Sequence, residues 1–135
     1  MATPRRTVQL SAVGAAATML LSGCTIFQDA FQIGKREFTF DTAAEAKASS
    51  ESFRFQGFLP DDATDIRLVA QLDSDENVFQ WTSPTPFTSE LCTEGAVSTE
   101  PRIDAQWLPE SLPDEGHICG TWTVVHSGDV HYAWN

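Results

Sequence analysis

The stretch from His117 to Trp134 does most to limit what this chain can fold into. In the run His117–His126, the residues Ile118, Trp122 and Val124 share one alternating set. In the run Val130–Trp134, Val130, Tyr132 and Trp134 oppose His131 and Ala133. Alternation with a period of two marks a strand with one face buried. Ser127-Gly128-Asp129 lies between the runs, and Gly128 suits the positive backbone angle of a tight hairpin. A second strand running to the last residues is expected to pair within a sheet, so the domain is committed to antiparallel β-structure.

The preceding chain supplies partners for that hairpin. Arg36–Phe40 alternates, with Phe38 and Phe40 on one face. Thr42-Ala43-Ala44-Glu45 reads as a capping box, with Glu45 reaching back to the Thr42 amide, and the alanines that follow favour a short helix to about Ser50. Phe53, Phe55 and Phe58 read as a second alternating face, ended by Gly57 and Pro60. Asp61–Asp65 is a turn. Ile66–Leu72 and Val78–Thr82 predict an antiparallel hairpin joined by Asp73–Asn77. Asp73, Asp75 and Asn77 match the first ligand positions of a calcium loop, but Val78 and Pro84 stand where that loop needs glycine and a bidentate glutamate. From Ser83 to Gly116 the chain is rich in Pro, Ser, Thr and acids, and predicts a long irregular excursion with a helical turn near Thr88–Leu91. Ile103, Trp107, Leu108 and Leu112 are its means of covering a sheet face. The expected fold is α+β: one small domain, with a mainly antiparallel, twisted sheet of four to six strands, one short helix and a long loop.

The N-terminal segment is of another kind. Arg5 and Arg6, the apolar run Val8–Leu21 and the small residues Ser22 and Gly23 form the three parts of an export signal. Gln9, Ser11, Gly14 and Thr18 interrupt the run, which falls short of the roughly 20 apolar residues of a membrane-spanning helix. Leu21-Ser22-Gly23-Cys24 resembles the lipobox of bacterial lipoproteins. That resemblance implies cleavage before Cys24 and a diacylglyceryl group on its sulfur. Each buried methylene adds about 0.8 kcal/mol of membrane affinity, so two or more acyl chains hold firmly. Arg5-Arg6 with Val8 and Leu10 also resembles, in part, a twin-arginine export signal. The expected division is a signal over residues 1–23, a lipidated tether over 24–35 and the domain over 36–135, on the extracytoplasmic face of a membrane.

Removing 23 of 135 residues leaves 112, enough for one modest core. Arg5 and Arg6 leave with the signal, so six of eight basic residues remain against 19 acidic ones, a net charge of −13. A surface of that sign repels phosphate, which excludes nucleic acid as an expected partner. It reads first as a solvated face and second as a site for a cationic partner. With Cys24 taken by lipid, as the resemblance implies, Cys92 and Cys119 are the remaining pair in a compartment where disulfides persist. Their bond would close the excursion onto the sheet. The rival reading is a thiolate nucleophile with His117 as its base. Leu59-Pro60 through Arg67, and Cys119-Gly120-Thr121-Trp122 followed by Tyr132-Ala133-Trp134, are similar to small uncharacterised lipoproteins of actinobacteria. That similarity carries over no site residues.

No catalytic constellation is legible. There is no Gly-x-Ser-x-Gly elbow and no glycine-rich phosphate loop. The spacing of His126 and His131 matches no common zinc pattern, so they read as exposed strand-end residues, and neither metal nor cofactor is expected. Trp81, Trp107, Trp122, Tyr132 and Trp134 are many large aromatics for so small a domain. They read either as core or as an aromatic-edged binding face. The expected function is a membrane-anchored, non-catalytic module that binds an envelope protein or a small ligand. The alternatives are a small envelope hydrolase or metal-dependent enzyme built on His126 and His131, and an immunity or exclusion lipoprotein that blocks a membrane partner.

Overall fold

The computed structural model describes residues 34–135; the expected signal, Cys24 and most of the tether lie outside the described residues. The elements in order are β1 (Lys35–Thr42), α1 (Ala43–Ala48), a 3-10 turn (Ser52–Phe55), β2 (Thr64–Gln71), β3 (Asn77–Thr82), β4 (Thr93–Ala96), β5 (Glu115–Cys119), β6 (Trp122–Ser127) and β7 (Val130–Trp134). All seven strands form one sheet in the order β1-β2-β3-β7-β6-β5-β4, with every neighbouring pair antiparallel. The small α+β domain is the one expected from the sequence, with seven strands in place of four to six.

Two departures account for the higher count. The run read as one strand from His117 to His126 is two, because Gly120, at φ 66°, turns the chain back and pairs Cys119 with Trp122. Ile118 therefore pairs with Thr123 and leaves the face of Trp122 and Val124. The excursion also contributes a short edge strand, β4, paired to β5. In the other direction, Phe53 and Phe55 do not form a strand face. Gln56 and Gly57 both take positive φ and end a 3-10 turn, which buries Phe55 and leaves Phe53 64% exposed beneath the Arg54 guanidinium. The capping of α1 is close to expectation. The Glu45 amide donates to Thr42 Oγ1 at 3.3 Å, while the Glu45 carboxylate accepts from the amide of Asp41, one residue before the predicted partner.

The sheet is two meanders, β1–β3 and β4–β7, joined where β3 meets β7. Consecutive strands β3 and β4 thus lie at the centre and at an edge, and the chain from Ser83 to Cys92 crosses one face to reach the edge. On that face the crossover adds Phe87, and the β1–β2 connection adds Ala43, Ala46, Phe55 and Leu59. They pack over Ile66, Leu68, Phe79, Trp81, Trp122 and Val124. Aromatic rings run through this core, with Phe55 edge-on to Phe79 at 5.1 Å and Phe58 edge-on to Phe87 at 5.3 Å. The disulfide between Cys92 and Cys119 fastens the end of the crossover to the end of β5. It closes a separation of 27 residues, a constraint that contributes about 3.5 kcal/mol in the chain-entropy account.

The opposite face is covered by the connection from Val97 to Asp114. Ile103, Trp107, Leu108 and Leu112 pack over Val69, Val78, Val125, Tyr132 and Trp134, the role the sequence assigned them. Loops this long without regular structure are uncommon in compact domains; this one is tied at several points. Val97 N–H donates to Asp114 O at 2.8 Å across its mouth, Trp134 Nε1 donates to Thr99 Oγ1 at 3.1 Å, and Trp107 Nε1 donates to Glu37 Oε1 of β1 at 3.1 Å. The last residue is held as well, since the amide of Asn77 donates to Asn135 Oδ1 at 2.8 Å and Asn135 Nδ2 donates to Asp75 O at 2.8 Å.

Gly95 and Gly116 are direct partners across β4 and β5, yet their surroundings differ. A methyl group at Gly95 would meet nothing within 4 Å, whereas at Gly116 it would collide with the Val124 carbonyl and come within 2.7 Å of Val125 Cγ1. Gly116→Ala is expected to lose about 1–3 kcal/mol in urea unfolding, and Gly95→Ala to stay near wild type. Equal stabilities would contradict the close approach of β5 to β6.

Candidate functional site

Two places in the fold gather chemically versatile side chains, one on each face of the sheet. The first centres on His131. Strand pairing sets it opposite Trp81 on β3 and opposite His126 on β6. Its ring lies parallel to the Trp81 indole, with centroids 4.9 Å apart and planes 6° apart, and it is only 2% exposed. The reading of both histidines as exposed strand-end residues therefore holds for His126 alone. His131 is a core residue because the register of β7 on β3 puts it under the crossover. Burial, followed by the neighbouring His126, pushes its pKa down, against the opposing pull of Asp129 and Asp62.

Beside this pair lies a polar network that the sequence did not disclose. Ser83 Oγ and Thr85 Oγ1 donate to the two oxygens of Asp62, each at 2.6 Å, and the Ser83 amide donates to Asp129 O at 2.8 Å. The two hydroxyl donors hold the Asp62 carboxyl below its ordinary range. Asp62 and Ser83 lie in different loops, and only the sheet brings them together. The network ties the turn before β2 to the start of the crossover. The thiolate reading of Cys92 or Cys119 is overturned by the bond between them, and His117 instead sits 3.4 Å from Glu94 and edge-on to Phe87. Among the described residues, no group of three or more His, Cys, Asp or Glu side chains is arranged to hold a metal ion.

The second place is a concavity of about 930 Å³ within the Val97–Asp114 connection. Its walls are the outgoing limb through Ala105 and the returning limb from Leu108, and Trp134 of the sheet lines its base. Pro101, Pro109 and Pro113 stiffen the limbs, and Glu100, Asp104, Glu110 and Asp114 contribute four carboxylates. Among the described residues no basic residue lines it, and none of the four carboxylates makes an ion pair. The sequence signalled the stretch as rich in proline and acid, but nothing local specifies that two limbs bend toward each other.

The five large aromatics do not share a face. Alternation along the strands sends Trp81 and Trp122 into the core under the crossover, and Tyr132 and Trp134 into the core under the long connection. All four are buried, and burial raises the pKa of the Tyr132 phenol. Trp107 is half-buried at the margin of the second core. The single aromatic surface considered from composition is thus divided between two interiors, and of these residues only Trp134 lines the concavity. Compared with protein-family models, curated proteins and solved structures, the chain matches none.

Lowering of the Asp62 pKa means that its hydrogen bonds stabilise the folded state fully above the ordinary value of 3.8, and that this contribution fades as pH falls through the folded value. The stability gap between wild type and Thr85→Val, read by urea unfolding, is expected to be widest above pH 3.8 and to narrow below it. A gap that ignores pH would show that the Thr85 hydroxyl does not act through the Asp62 carboxylate.

Proposed function

We propose that this chain is a lipid-anchored, extracytoplasmic and non-catalytic binding module, whose binding site is the concavity between the limbs of the Val97–Asp114 connection. The anchor rests on the resemblance of Leu21-Ser22-Gly23-Cys24 to a lipobox behind a basic and apolar leader. The binding role rests on one observation above all: the concavity has the size of ligand sites, roughly 300–1,000 Å³, and joins a mixed, proline-rich lining to four carboxylates that meet no counter-charge among the described residues. Such a lining favours an extended cationic segment, whose amines meet the carboxylates while its stems lie against proline and leucine. Hydrogen bonds from Val97 to Asp114, from Trp134 to Thr99 and from Trp107 to Glu37 hold the limbs before a ligand arrives, which lowers the ordering cost of binding.

The anchor is tested by fractionation: wild type is expected in membranes, and Cys24→Ala in the soluble fraction or unprocessed. Binding is tested by calorimetric titration of the full chain with a short lysine- and proline-containing peptide. Neutralising Glu100, Asp104, Glu110 and Asp114 to Gln or Asn is expected to weaken binding at least tenfold. Neutralising Asp41, Asp61, Asp65 and Glu90, exposed residues outside the concavity, is expected to weaken it far less. Equal losses from the two sets would reduce the effect to net charge and remove the concavity as the site.

A further inference from the structure

His126 and His131 are direct cross-strand partners on the same face of β6 and β7, with ring centroids 5.7 Å apart and planes 35° apart. Each Nδ1 faces a carbonyl of the hairpin turn, His126 to Gly128 O at 3.3 Å and His131 to Asp129 O at 3.2 Å. A carbonyl only accepts, so each bond needs its proton on Nδ1 and leaves the lone pair on Nε2. This is the arrangement in which metal-binding histidines are held, one ring nitrogen donating to a backbone carbonyl and the other free to coordinate.

The separation fits as well. Two imidazoles bound through Nε2 to one ion at about 2.0–2.1 Å, with a tetrahedral angle between them, place their centroids about 5 Å apart. The observed spacing lies within a small side-chain adjustment of that value. The His131 ring is held by its stack on Trp81 and its Nδ1 bond to Asp129 O, and the exposed His126 ring by its Nδ1 bond to Gly128 O. Among the described residues Nε2 of His131 has no hydrogen-bond partner, yet no buried side-chain nitrogen or oxygen is left unsatisfied, so this atom keeps a small contact with solvent although the residue as a whole is buried.

We infer that His126 and His131 form a two-imidazole site for a divalent first-row metal, with water in the remaining coordination positions. Imidazole suits zinc, nickel and copper, and copper(II) binds such ligands most tightly of the series. The site lies on the opposite face of the sheet from the acidic concavity and does not depend on it.

Copper(II) titration of the full chain provides the test, followed by tryptophan fluorescence and electron paramagnetic resonance. Because Trp81 stacks on His131, saturable quenching near one equivalent is expected, together with a spectrum showing coupling to imidazole nitrogen. His126 is exposed, so His126→Ala should fold as wild type does, and it is expected to weaken binding at least tenfold. His117→Ala, which alters a histidine outside the pair, is expected to leave binding unchanged. Absence of saturable binding to wild type, unchanged affinity in His126→Ala, or loss of binding in His117→Ala would each overturn the site.

Discussion

The pairing of β3 with β7 is the contact on which the other parts of this domain depend. It joins residues about fifty positions apart, with Val78 opposite Trp134 and Trp81 opposite His131, and turns two separate meanders into one sheet. A meander of three or four strands alone has faces it cannot cover. Joined, the two present Phe79, Trp81 and Trp122 on one side and Val78, Tyr132 and Trp134 on the other, enough apolar surface to hold covering segments on both. The register of this pairing also decides the geometry of both candidate sites, since it stacks His131 on Trp81 and lays Trp134 beneath the long connection.

With the two meanders joined at the centre, β3 and β4 are consecutive in sequence but separated by three strands in space. The crossover that spans them covers the first face, and the disulfide fastens its far end to β5. The second face is closed by a connection without helix or strand, secured at Glu37 of β1, at Thr99 against Trp134 and at its own mouth. A segment held at its margins leaves room between its limbs, and the concavity is that room. Ordering an irregular segment costs backbone entropy of about 1–2 kcal/mol per residue, which the buried contacts of Ile103, Trp107, Leu108 and Leu112 help offset.

Much of the scaffold was legible residue by residue. Phe38 and Phe40 announced β1, Thr42 and Glu45 announced the start of α1, and the β2–β3 and β6–β7 hairpins followed from alternation around their turns. Errors arose where a local pattern had two solutions. Phe53 and Phe55 are spaced as in a strand, but Gln56 and Gly57 adopt left-handed backbone and close a 3-10 turn instead. Ile118, Trp122 and Val124 are spaced as on one strand, and the reversal at Gly120 places Ile118 on the other face. Thr93–Ala96 contains no large apolar residue, so its strand comes from the free edge of β5 rather than from any propensity of its own.

By itself the sequence determined β1, the β2–β3 and β6–β7 hairpins, the short helix, the acidic balance, the lipobox resemblance and, with it, the cysteine pairing, because these rest on neighbouring residues or on composition. Only the tertiary structure decided which strands are central, which face each aromatic occupies, that Asp62 meets Ser83 and Thr85, that two histidines share one ring-to-ring contact, and that two limbs of one connection enclose a concavity. Those outcomes depend on the register between β3 and β7. That register is set by the joint packing of both faces, a property that no local window of sequence contains.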